Sequence, residues 1–188
     1  MKSFIYFVAA AFILLLAGCS ENGTSVKQPT TNQQQLIKLP QKAGLSKKDS
    51  QLLITKTIDG KKGGLLVLRG SYLNSDGKPV KVFGTLVIPA HAFKGERTIT
   101  MSADDEYAGV DFYPHMTFDK PLSLTLGFVG LDLSDLNLAN GKVGFFYIDD
   151  NGNMTPILNG GIAVNNQLGS LLVVGARIDH FSRYAFAK

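Results

Sequence analysis

Asn74-Ser75-Asp76-Gly77-Lys78-Pro79 lies between two runs rich in alternating apolar residues, 65–68 and 82–88, and this arrangement decides the fold. Gly77 tolerates positive φ and Pro79 presets its own, so the hexapeptide reads as a turn. The flanking runs recur with a period of two, as strands with one buried face do. The pattern continues outward. Residues 52–58 read as a strand, Lys61-Lys62-Gly63-Gly64 as its turn, and residues 98–101, 122–128, 143–148, 155–158, 171–178 and 181–186 as further strands. Pro89 cannot donate a ladder hydrogen bond and ends the strand before it. Asp149-Asp150-Asn151-Gly152 contains the Asn-Gly pair favoured in hairpin loops. Apart from the amino-terminal apolar segment, no window carries a convincing helical period. About ten short strands with frequent turns predict an all-β fold, an antiparallel sandwich or barrel, and the antiparallel β-sandwich is the expectation carried forward.

The amino terminus sets the location. An apolar segment, residues 4–16, follows Met1 and Lys2 and closes with Leu16-Ala17-Gly18-Cys19. A spanning helix needs roughly 20 apolar residues; this segment is shorter and ends in small residues, as a cleaved export signal does. The run resembles the signal peptide of bacterial lipoproteins, with a lipobox ending at Cys19. That resemblance implies cleavage between Gly18 and Cys19, a diacylglycerol on the Cys19 thiol and an acylated new amine. Two or more acyl chains, at about 0.8 kcal/mol per buried methylene, hold a protein stably on a membrane. Ser20 after the cysteine is compatible with the outer membrane. The expected place is the bacterial cell envelope, at the outer membrane or the cell surface.

Removing residues 1–18 leaves 170 of the 188 residues, enough for one domain with a sizeable core. Cys19 is the single cysteine, so no disulfide closes within the chain. Residues 19–43, rich in Gln, Thr and Asn, cannot recover their ordering entropy and are expected to form a flexible lipidated tether. Order is expected to begin between Leu36 and Leu52, with a single sandwich over residues 44–188. Residues 19–83 carry eleven Lys or Arg against four Asp or Glu, and residues 84–188 seven against eleven. The lysines nearest the lipid, among them Lys27, Lys38, Lys42, Lys47 and Lys48, read as solvated residues of a leash or as contacts to anionic headgroups. Export and the lack of a basic and aromatic stripe argue against nucleic acid as partner.

Several segments together resemble the ZU-type ("ZU-five") β-sandwiches of netrin receptors, ankyrins and their bacterial relatives. Gly84-Thr85-Leu86-Val87-Ile88-Pro89-Ala90-His91-Ala92-Phe93, followed by Thr98-Ile99-Thr100, is similar to that family's strand, Ile-Pro-x-Gly-Ala turn and next strand, with His91 where the family usually carries Gly. Phe118-Asp119-Lys120-Pro121-Leu122-Ser123-Leu124 resembles its Phe-x-x-Pro-x-x-Leu entry, and residues 147–152 its Tyr-x-x-x-x-Gly hairpin. Asp179-His180-Phe181-Ser182-Arg183-Tyr184-Ala185 resembles its closing His-Phe-Ser-x-Tyr-Ala strand. The similarity covers residues 61–188. It implies a candidate self-cleavage site in which Ser182 attacks the Phe181 carbonyl and His180 takes the hydroxyl proton. Such a reaction needs strained backbone and a base in reach. On a continuous strand, residues two apart are separated by about 6.6 Å, so the expectation is an uncut closing strand with His180 as a structural hydrogen-bonding group.

Other chemistry finds little support. His91, His115 and His180 lack zinc-ligand spacing, and no metal or cofactor is expected. Asp104-Asp105-Glu106 and Asp111 read as a solvated acidic loop. Asp149, Asn151 and Asn153 copy the opening of a calcium loop, but Met154 and Gly160 stand where Gly and Glu are needed. Ser75-Asp76-Gly77-Lys78 satisfies Ser-x-x-Lys yet sits in a turn. Leu131-Asp132-Leu133-Ser134-Asp135-Leu136-Asn137-Leu138 reads as a strand with one buried face, or as a loop exposing an apolar patch. The expectation is a non-enzymatic binding module held to the membrane by lipid on Cys19, with a protein partner in the envelope or outside the cell. The alternatives are self-cleavage between Phe181 and Ser182, or a purely structural envelope lipoprotein; oligomeric state is left open.

Overall fold

The computed structural model describes residues 34–44, 52–134, 136 and 142–188. Gly18, Cys19, the expected signal and the first part of the expected tether lie outside the described residues. Residues Gln34–Lys188 form one unit, an antiparallel β-sandwich of eleven strands with no helix among the described residues. The strands are β1 Leu53–Asp59, β2 Gly64–Leu73, β3 Pro79–Ile88, β4 Glu96–Ala103, β5 Gly109–Tyr113, β6 Thr117–Val129, β7 Gly144–Ile148, β8 Met154–Pro156, β9 Gly161–Asn165, β10 Ser170–His180 and β11 Arg183–Ala187. One sheet has the order β1-β4-β5-β11-β7-β8 and the other β2-β3-β6-β10-β9.

The period-two reading accounts for the core. Leu66 and Leu68 on β2, Val80, Val82, Leu86 and Ile88 on β3, and Leu122, Leu124, Leu126 and Phe128 on β6 all point inward and are buried. Ile99, Met101, Val110, Phe112, Phe145, Tyr184 and Phe186 meet them from the other sheet. Each such side chain contributes roughly 1.5–3 kcal/mol of transfer free energy. The β2–β3 hairpin closes on the opening hexapeptide: Asn74 Oδ1 accepts from the Asp76 and Lys78 amides, and Gly77 has φ of 72°. Gly127 on β6 sits under the Phe83 ring, where an added Cβ would stand 2.1 Å from the ring. Any side chain at position 127 would displace that ring.

Several expectations shift. Residues 34–43, expected to belong to the tether, run along the sandwich, so the unit begins ahead of Leu36 rather than at residue 44. Ile37 is buried, and Leu36 bridges to Ala187, Lys38 to Tyr107 and Lys42 to Asn74. Tyr72 donates to the Pro40 carbonyl at 3.0 Å; burial pushes its phenol up to about 12. Of the leucine-rich stretch, the described residues 131–134 and 136 form a loop, not a strand, whose Leu131, Leu133 and Leu136 are buried, not exposed, with Asp132 accepting from the Ser134 amide and hydroxyl; Leu138 lies outside the described residues. Strand β8 stops at Pro156, and residues 157–160 turn the corner toward β9. β5 and β9 were not foreseen: each alternates, but over only five residues, too short a run for the period to stand out.

His91 has a φ of 65°, the one positive value among described non-glycine residues. Its amide donates to the Gly60 carbonyl at 2.7 Å, which holds the turn after β3 in place. A left-handed non-glycine residue costs about 1–2 kcal/mol, partly offset by the greater freedom glycine has when unfolded. The His91 side chain is exposed, so its loss opens no cavity. His91→Gly is therefore expected to stabilise the domain by about 0.5–1 kcal/mol, read as a raised urea midpoint with an unchanged slope.

Candidate functional site

A concavity of about 510 Å³ opens where β4, β5, β11 and β7 lie side by side. Alternation along β5 and β11 creates it: Val110, Phe112 and Tyr184 point into the core, so Asp111, Tyr113 and Arg183 face out. Register sets Arg183 beside Asp111 on one side and Ile148 on the other. The loop after β4 adds Asp104, Asp105 and Glu106, and the turn after β7 adds Asp149 and Asp150. Six carboxylates thus share one cleft with Arg183, His115 and Ser182.

Their roles differ. Asp104 is buried; its Oδ2 takes the Arg183 Nε at 2.8 Å and also pairs with Nη2, while Oδ1 accepts from the Glu106 and Tyr107 amides. The Arg183 guanidinium also lies 5.3 Å over the Tyr107 ring. Asp104 is thereby an internal counter-ion and turn cap, not a solvated loop residue as read from sequence. Asp105 pairs with Lys42 at 3.1 Å. Asp149 accepts from the Asn151 and Asn153 amides and the Asn153 side chain, and Gly152 has φ of 79°; this is the β7–β8 hairpin turn. These hydrogen bonds hold the Asp149 carboxyl below its usual range. Among the described residues no group of three His, Cys, Asp or Glu is placed to hold a metal ion.

Asp111 behaves differently. Burial, then the nearby charge of Asp104, pushes its carboxyl up to about 6. The folded state therefore prefers the protonated form, and this group's contribution to stability falls as pH rises from about 4 through about 6. Asp111→Asn, which mimics the protonated acid, should stabilise the domain at pH 8 and leave it unchanged at pH 4, measured by urea denaturation at both. Equal shifts at the two pH values would refute this account.

The His180-Phe181-Ser182 segment is not part of a continuous strand. β10 ends at His180 and β11 begins at Arg183, and the bend between them carries the chain from one sheet to the other. Phe181 anchors that crossing: its ring stacks on Phe112 at 4.9 Å and meets Phe118 edge-on at 4.7 Å, and its amide donates to the Met116 carbonyl. The Tyr184 hydroxyl donates to the His180 carbonyl at 2.6 Å, and burial raises that phenol well above its usual range. The His180 ring packs against Tyr147 at 4.5 Å. No hydrogen bond joins the His180 ring to the Ser182 hydroxyl, and neither Phe181 nor Ser182 has a left-handed φ. Ser182 to Lys188 would not fall away after a cut, since β11 is hydrogen-bonded between β5 and β7.

Of the residues read from sequence, the structure brings Asp104, Asp105, Glu106, Asp111, Asp149, His115 and Ser182 to one cleft. His91 lies in the β3–β4 turn and His180 against Tyr147, so the three histidines do not converge. Arg183 and Tyr113 were missed; the sole sequence signal was the acid surplus after residue 84. Comparison of the chain with protein families, characterised proteins and solved structures found no match.

Proposed function

We propose that this chain is an exported bacterial lipoprotein, anchored through lipid on Cys19, whose ZU-type sandwich is a non-enzymatic module that binds a partner carrying cationic groups in the acidic cleft. The observation that carries the reading is the assembly of six carboxylates from three separate segments around one concavity, with Arg183 already claimed by Asp104. Such a cleft focuses a negative potential and draws positively charged groups. The left-handed φ of His91, at the turn position where ZU-type domains usually carry Gly, supports the family relation. Self-cleavage lacks support in the geometry, because His180 and Ser182 share no hydrogen bond.

The test has two arms. Intact-mass analysis of the membrane-extracted chain should give acyl mass on Cys19 and a complete carboxyl terminus, and Cys19→Ser should wash off membranes at alkaline pH. Loss of residues 182–188, abolished by Ser182→Ala, would establish self-cleavage instead. In titrations, an oligolysine peptide should bind the full chain, and bind Asp105→Asn/Asp150→Asn at least tenfold more weakly. Equal binding by the two chains would sink the cleft assignment.

A further inference from the structure

We infer that β9 is a pairing edge on which a second copy of this chain docks, antiparallel, about a two-fold axis at Ala163. Four strands end the two sheets: β1, β8, β2 and β9. β1 and β2 meet at a corner, where the Ile58 side chain fills the space beside Gly64 and Lys56 Nζ reaches the Leu65 carbonyl at 3.2 Å. β8 is three residues long and ends in Pro156. β9 differs from all of these. It has no proline, and no Asp, Glu, Lys, Arg or His occurs between Asp150 and Arg177. Natural edge strands are normally protected by charge, proline, bulges or a covering element. Among the described residues no strand pairs with the far side of β9, so its outward amides and carbonyls can accept another strand.

The occupant follows from symmetry and charge. An uncharged edge meets its own copy without repulsion, and a two-fold axis at Ala163 sets Gly161 opposite the second copy's Asn165 and Ile162 opposite its Val164. Ile162 and Val164 pack toward the core while Ala163 faces out, so both rows of side chains continue across the junction. Leu158 and Leu168, exposed by 74% and 63%, are the two most exposed large apolar side chains among the described residues. They stand five residues before and after Ala163, so an exposed leucine flanks each end of the edge and a two-fold axis at Ala163 treats the two ends alike. An unrelated strand has no reason to match that spacing. The contact is small, of the class below about 1,200 Å² that gives transient association. Confining copies to a surface raises their effective concentration and favours pairing there.

The full chain in its membrane, carrying Ala163→Cys, tests this under mild oxidation. Cα atoms of directly opposed antiparallel residues lie about 4.5–5.5 Å apart, within disulfide reach. A covalent dimer should form at least tenfold faster than with Ser71→Cys on exposed β2, and the unaltered chain reports any background from Cys19. Ala163→Lys, at an exposed position, should abolish the dimer seen by sedimentation in detergent while leaving the circular dichroism unchanged. Cross-linking no faster than Ser71→Cys overturns the inference, and so does capture of a different protein by the thiol introduced at position 163. Lipid on Cys19 acts alike on the Ala163→Cys and Ser71→Cys chains and cancels in their comparison, so this inference and the anchoring proposal fail separately.

Discussion

A chain beginning at Gly44 is expected to lose about 5 kcal/mol of stability relative to one beginning at Ser20, because residues 34–43 complete the sandwich instead of merely leading to it. Seven backbone hydrogen bonds depend on them. Gln35 and Lys188 exchange a pair, Ile37 bonds Phe186 and Ala108, Leu39 bonds Glu106, Ala43 bonds Leu73, and Ser75 bonds Gln41. The segment takes the place beside the end of β11 that β5 vacates after Ala185. Ile37, 6% exposed, plugs the core there. Loss of a buried isoleucine side chain costs about 2–5 kcal/mol and each backbone bond about 1 kcal/mol net, and about half of that sum is offset because the shorter chain no longer spends the entropy of ordering the segment. Against a typical total of about 5–15 kcal/mol, the shorter chain should be largely unfolded or partly molten at room temperature. Urea denaturation of the two chains decides it, and Ile37→Ala isolates the packing share at about 3 kcal/mol. Coincident unfolding curves would mean that the segment rests on the domain without supporting it.

Arg183→Met carries the second large effect, a loss of about 3–5 kcal/mol. The guanidinium answers a carboxylate that has only 6% of its side chain exposed and also tethers the loop after β4 through the Glu106 and Tyr107 amides. Removing the cation leaves that charge buried without its counter-ion, which is far costlier than losing a surface pair. Asp104→Asn in the same chain should restore part of the loss, because the amide oxygen still accepts from the two backbone donors. A double-mutant cycle on thermal unfolding should therefore return a coupling energy above about 1 kcal/mol. Additive losses would show that Arg183 acts through its contact with Tyr107 alone.

Both effects lie where sequence reading was weakest. The hairpin at Asn74 to Pro79 was legible because turn chemistry and alternation are local properties, and the same holds for Asp149 to Gly152. Residues 34–43 read as tether because their few apolar side chains promise no core of their own. Ile37 is buried by partners near residues 108 and 186, which local composition does not reveal. Leu131, Leu133 and Leu136 differ from expectation for a related reason: alternation of apolar and polar residues also suits a loop pressed against a core, where the backbone need not be extended. The closing segment was read as one strand because Phe181 and Tyr184 to Phe186 are all apolar. The tertiary structure instead uses Phe181 as the pivot of a crossing between sheets, stacked on Phe112 and edge-on to Phe118.

Sequence alone determined that the chain is all-β, where its main hairpins turn and which faces of its long strands are buried, since these depend on side-chain period and on the φ preferences of Gly and Pro. Only the tertiary structure decided that Asp104 meets Arg183 across 79 positions of chain, that six carboxylates open on one cleft and that β9 is left at an edge. Strand order and register are properties of pairs of distant segments, and no local pattern of residues encodes which of them become neighbours.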